Sequence, residues 1–199
     1  MWNLALLADQ FETVLREAEA THRLDQAVYG LDMGNERTIQ SILAEGLGAH
    51  YLVTREVPYP SSAGRKLSQR FRCDLVIASR SIADEPLWLE IKIAWQFREG
   101  GLRSRTYGGQ WRLRVAEDVR KIEADPLVRH AGVAMIVFTQ SLEIVKKDLD
   151  LFEAAMAAKD VIVGFRHVRH IPIQDRIGHQ FCTIALWPTL PVATGQMPP

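Results

Sequence analysis

Residues 132–140, Gly-Val-Ala-Met-Ile-Val-Phe-Thr-Gln, form an apolar run without a single charge. A run of this length and composition reads as a strand covered on both faces. Such a strand belongs inside a layered sheet, with helices packed on each side. At 199 residues and 47% hydrophobic content, the chain can supply those layers.

The expected elements fall into place around it. An amphipathic helix runs from Trp2 to about Ala20, with Leu6, Leu7, Phe11, Val14 and Leu15 on one face and Glu12, Arg16 and Glu19 off it. A second helix runs from Asp32, its cap, to Leu47, and the Gly46–Gly48 region ends it. Strands are expected at 50–59, 70–78 and 86–97, joined by a polar turn at 61–66 and a hairpin loop at 79–86. A Gly- and Arg-rich stretch, 98–109, reads as mobile. A helix over 110–125 stops before Pro126, another spans 145–159, and strands follow at 161–168 and 180–187. The order is α-α-β-β-β-α-β-α-β-β: an α/β fold with a mixed central sheet flanked by helices. We expect one domain over 1–190, with a helical extension (1–31), a core (32–140), a C-terminal helix and strands (141–190), and a disordered tail (191–199).

Composition excludes several classes. The formal net charge is zero, which argues against a generic polyanion binder but permits a local basic patch. Eighteen of the 24 basic residues are Arg, whose planar fork suits phosphate oxygens. Cys73 and Cys182 form no Cys-x-x-Cys pair, so a zinc ribbon is not indicated, and both read as buried, reduced thiols. The six histidines are scattered and do not form a metal cluster. No Gly-rich loop ends in Lys-Ser or Lys-Thr, and no Gly-x-Ser-x-Gly occurs. The first twenty residues lack a signal peptide's basic start, and no apolar run reaches membrane-spanning length. A soluble cytoplasmic protein, with no membrane partner, is the expectation.

The chemistry concentrates in "PLWLEIKIAWQF", residues 86–97. Side chains two apart on a strand share a face, roughly 6.5–7 Å apart. Leu89, Ile91 and Ile93 therefore face the core, and Glu90 and Lys92 look out together, with Trp88 beside them. On the preceding strand Asp74 alternates with Cys73 and Leu75, so pairing can bring Asp74 to Glu90. Two carboxylates at one spot repel, and a divalent cation relieves them. A neighbouring lysine can orient or deprotonate water, or offset charge on a phosphate. The plainer alternative is a cross-strand salt bridge on a half-exposed sheet.

These residues resemble the PD-(D/E)XK nuclease superfamily: Asp74 in "RCDLVIA", the Glu90-Ile91-Lys92 triplet, and Glu36 in "GNERTIQSIL". The resemblance covers about 32–140. It implies a restriction-endonuclease-like αβββαβ core, with the Asp and the Glu-x-Lys on adjacent strands and an acid on the first core helix. It further implies that Asp74, Glu90 and the carbonyl of Ile91 hold Mg²⁺, for which Mn²⁺ substitutes. Lys92 would be the catalytic lysine, and Glu36 would position water or a second metal. The activity implied is hydrolysis of DNA phosphodiester bonds, in defence, repair or a mobile element. Cys73 stands where the family's name puts Pro, and the hairpin between Asp74 and Glu90 is long. Asp84 and Glu85 in that hairpin are rival acids, and Glu56 rivals Glu36.

Arg98, Arg103, Arg105 and Arg112 follow the Glu-x-Lys strand and read as phosphate clamps, with Tyr107 and Trp111 among them. Arg65, Lys66, Arg70 and Arg72 form a second basic cluster beside Asp74. Gln110 opens the next helix near the site. Asp118 and Lys121, three apart, read as a surface pair. Little remains to form a separate target-reading domain, so double-strand cleavage would need a homodimer or a partner protein. The rival function is a catalytically silent nuclease-fold protein, acting as a nucleic-acid-binding or assembly module.

Overall fold

The computed structural model of the protein describes residues 2–24, 30–62, 64, 71–80, 85–112, 114–174 and 177–189. Among these residues, six strands form one mixed, open sheet flanked by helices. They are β1 (Tyr51–Pro58), β2 (Arg72–Ser79), β3 (Leu87–Trp95), β4 (His130–Thr139), β5 (His167–Pro172) and β6 (Phe181–Pro188), in the order β1-β2-β3-β4-β6-β5. The first three pair antiparallel as a meander. β4 lies parallel to β3, and β6 runs antiparallel to both β4 and β5. Reaching a parallel neighbour requires a crossover, and the helical segments α3 (Tyr107–Arg112) and α4 (Arg114–Glu123) supply it. The remaining helices are α1 (Leu4–Leu24), α2 (Glu36–Leu47) and α5 (Leu142–Ala157).

The apolar run does what its composition demands. Nine of the ten β4 residues are buried, because helices cover both faces. Ala134, Ile136 and Phe138 join the core beneath α1 and α2, whereas Val133, Met135 and Val137 join the core beneath α4 and α5. Gly132 permits the close approach of β6, since a Cβ there would lie 2.7 Å from the Trp187 carbonyl oxygen. Cys73 and Cys182 are buried free thiols. Among the described residues, no helix is long and apolar enough to cross a membrane.

Several expectations need correction. The α1 stripe is Leu4, Leu7, Ala8, Phe11 and Leu15, and Leu6 is exposed. Glu19 is buried, where its carboxylate accepts the Leu31 N–H at 3.0 Å. α2 starts at Glu36, and its cap is Asn35, whose side chain accepts the Thr38 N–H. Asp32 lies instead in a short 3-10 turn, Leu31–Met33, paired with the buried His179 at 3.0 Å. Residues 161–166 make no regular strand: Val163 contributes one isolated bridge to Thr189, and the edge strand begins at His167. Between β3 and α3 the chain is shaped by a Phe97–Arg103 bridge and a 3-10 turn, Glu99–Gly101. The helix expected over 110–125 already begins at Tyr107. The tail (191–199), Asp84, Arg65, Lys66 and Arg70 lie outside the described residues.

Candidate functional site: a carboxylate–lysine cluster

The site begins where two strands part. β2 and β3 pair at Leu75–Leu89, Val76–Trp88 and Ile77–Leu87. One step further, Asp74 would stand opposite Glu90, but the ladder stops. The Asp74 carboxylate takes over the freed backbone donor, and the Ile91 N–H donates to its Oδ2 at 2.6 Å. The alternation along β3 holds. Leu87, Leu89, Ile91 and Ile93 face the α1–α2 core, while Trp88, Glu90 and Lys92 occupy the other face.

That other face does not look out to solvent as expected. Glu90 is only 1% exposed, because α4 lies over it. Val115, Val119 and Ile122 anchor α4, and Asp118 sits in the same buried stripe at 6% exposure. The expected Asp118–Lys121 pair does form, but not on the surface: Asp118 is buried, and both side chains meet residues of β3. Lys92 Nζ lies 3.1 Å from Asp118 Oδ2, 3.8 Å from Glu36 Oε1 and 4.0 Å from Asp74 Oδ2. Lys121 pairs with Asp118 and lies 3.7 Å from Glu90 Oε1. The Tyr59 hydroxyl, just past the end of β1, donates to Glu90 Oε1 at 2.7 Å. The Tyr59 ring stacks on Trp88, at 5.4 Å between centroids.

Among the described residues, four carboxyl groups (Glu36, Asp74, Glu90, Asp118) thus meet two ammonium groups (Lys92, Lys121), an excess of acids over bases. The electrostatics follow. Burial, helped by the charges of Asp74 and Asp118, pushes the Glu90 carboxyl up to about 8. Burial also raises Glu36, against the opposing pull of Lys92 and with the help of Asp74 and Asp118. For Lys92, burial disfavours the charge, but Asp118, Asp74 and Glu36 together outweigh it and hold the amine above its ordinary value. Lys121 is likewise raised by Asp118 and Glu90 against burial. Both lysines are firmly protonated in this arrangement.

The structure brings together Asp74, Glu90, Lys92 and Glu36, from β2, β3 and α2. Glu56 is exposed on β1 and adds only a minor repulsion to Glu36. Glu85 is exposed at the hairpin end of β3. Arg98, Arg103 and Arg105 are exposed on the segment after β3. Arg72 is exposed and donates to the Glu56 carbonyl at 2.7 Å. Gln110 and Arg112 are part of α3, and their side chains lie outside the described residues.

Three members of the cluster escaped the sequence reading: Asp118, Lys121 and Tyr59. Asp118 had a signal, because an acid at i+3 between Val115 and Val119 breaks the apolar stripe of its helix. Tyr59 had none, since its partner lies 31 positions away.

The donors suit a hard divalent cation in kind, since carboxylate oxygens dominate the cluster, and a bound cation would draw the proton off Glu90. Among the described residues, however, no three His, Cys, Asp or Glu side chains converge as a ready ligand set. No family model, no curated protein and no solved structure matches the chain.

Proposed function

We propose that the protein is a metal-dependent nuclease that hydrolyses DNA phosphodiester bonds, and that its core is of the restriction-endonuclease-like kind. The fold supports this reading through the order helix, three-strand meander, crossover helix and parallel strand over residues 36–139. The observation that carries it is the convergence of four carboxyl groups and two ammonium groups where β2 and β3 part. Asp74, Glu90 and the Ile91 carbonyl would hold Mg²⁺, which Mn²⁺ can replace. The metal, when bound, supplies Lewis-acid activation of the phosphate and of water.

The chain's own residues do the rest. Lys92, held as an ammonium by three carboxylates, offsets the negative charge that grows on the phosphate and orients water by donating to it. It is a poor base in this arrangement, so of the two roles open to such a lysine we assign it the donor's. Glu36, which is partly exposed, accepts from the water on the solvent side. Tyr59 and Lys121 hold Glu90 in place from two sides. Arg98, Arg103 and Arg105 present cations to the DNA backbone beyond the strand end.

One observation favours the catalytically silent alternative, a nucleic-acid-binding or assembly module. The carboxylates already have partners within the chain, in Lys92, Lys121, Tyr59 and the Ile91 N–H. Plasmid and linear DNA, incubated with Mg²⁺ or Mn²⁺ and either wild type or Lys92→Ala, separates the two. Cutting by wild type and not by the variant supports the nuclease. Failure of wild type to cut either DNA in either metal removes the nuclease and leaves the module.

A further inference from the structure

Tyr59 and Lys121, which touch Glu90 from two sides, also wall a separate cavity of about 430 Å³. It lies between the turn at Pro60–Ser62 and α4, and its size falls in the roughly 300–1,000 Å³ range of small-ligand sites. Phe71, the residue before β2, lines it while remaining 57% exposed. An aromatic ring left in water at the lip of a cavity offers an unused face. Ser61 adds a hydroxyl to the lining. The cations at its edge are Lys121 and Arg120, and Arg120 already donates to the Lys159 carbonyl at 2.7 Å. Glu117 contributes a carboxylate to the same wall.

This chemistry discriminates among occupants. Glu117 disfavours a free anion inside the cavity, and Lys121 is already engaged by Asp118 and Glu90. The interior suits a flat, neutral, partly polar ring that can lie on Phe71. A nucleobase has that character, and every base has a face on which an aromatic side chain can stack. A base paired within a duplex cannot enter, because its faces and edge are already taken. Resting on the nuclease reading of the adjacent carboxylates, we propose that this cavity receives an unpaired base of the strand being cut. The substrate class is then single-stranded or frayed-end nucleic acid.

Phe71 is exposed and makes a clean probe. Anisotropy of a fluorescein-labelled oligothymidine and of a labelled blunt duplex, both in EDTA, is measured for wild type, Phe71→Ala and Phe71→Trp, each shown folded by thermal melting. Loss of one stacked base should weaken single-strand binding by about tenfold in Phe71→Ala. Duplex binding should stay unchanged, and Phe71→Trp should restore the single-strand affinity. Unchanged single-strand binding in Phe71→Ala, an equal loss on both DNAs, or no single-strand binding by wild type would each overturn the proposal. Because the assay needs no cleavage, it is independent of the nuclease test. A wild type that cuts nothing but shows the selective Phe71 effect sinks the nuclease and keeps the cavity. A wild type that cuts while Phe71→Ala binds normally does the reverse.

Discussion

Glu90 keeps its proton to a pH at which a surface glutamate has long been ionised, because it is buried beside Asp74 and Asp118. The consequence for stability has a definite sign. Between the ordinary value of 4.5 and the raised value of about 8, the folded protein binds a proton that the unfolded chain does not. Stability therefore falls as pH rises through that window. In EDTA, the melting temperature of wild type should decline from pH 5 toward pH 8, by analogy with any buried acid forced to ionise. Glu90→Gln, with nothing to ionise at that position, should show a flatter profile; an equal slope in both would mean that Glu90 ionises like a surface group. Metal affinity is the second test at this scale. Glu90→Gln should abolish calorimetric binding of Mg²⁺ or Mn²⁺. Lys92→Met should retain or strengthen it, by removing a nearby positive charge, while ending cleavage. A plain surface salt bridge predicts no change in metal binding for either variant and about 0–1 kcal/mol of stability.

Two elements present the outer parts of the site, and each can be perturbed alone. α2 carries Glu36 in its first turn, and Asn35 fixes that turn by accepting the Thr38 N–H at 2.9 Å. Asn35→Ala should lower unfolding stability by about 1 kcal/mol in urea titration. Cleavage should drop as well, since the turn that aims Glu36 at Lys92 is loosened; a stability loss with full activity would separate Glu36 from the chemistry. The segment after β3 presents Arg103 and Arg105 to solvent beside the Phe97–Arg103 bridge. Replacing both with Gln should weaken DNA binding. The slope of log affinity against log salt should shrink by about 0.9 for each duplex phosphate that the variant no longer neutralises. An unchanged slope would make the segment a bystander.

At the scale of the molecule, the sheet is the device that joins α2, β2, β3 and α4 around one cluster of charge. Partly buried like charges oppose folding unless something neutralises them. Asp74→Ala removes one such charge but also the acceptor of the buried Ile91 N–H, so it should lower the melting temperature in EDTA, by about 1–3 kcal/mol of stability, while abolishing cleavage. Added Mg²⁺ should stabilise wild type by mass action, by about 2.7 kcal/mol at a hundredfold excess over the dissociation constant. Asp74→Ala should gain little from it. Equal stabilisation of both proteins would place the metal elsewhere.

The sequence by itself determined the layered α/β architecture and which residues of β3 share a face. Apolar runs and two-residue alternation are local consequences of backbone geometry, and 132–140 and 87–93 carry both in plain form. It also brought Asp74, Glu90, Lys92 and Glu36 forward as one group, on spacing and on resemblance. Helix boundaries were less legible. Asp32 and Asn35 are both good caps, and what decides for Asn35 is that Asp32 is paired with His179, 147 positions away. The inner half of the cluster was decided by tertiary structure alone. Whether Glu90 faces water or Asp118, and whether Tyr59 reaches it, depends on how α4 lies across β3 and where β2 parts from it. Those are packing outcomes between distant segments: the burial that keeps the proton on Glu90, and the carboxylates that keep the charge on Lys92 against burial, come together only once the segments have met.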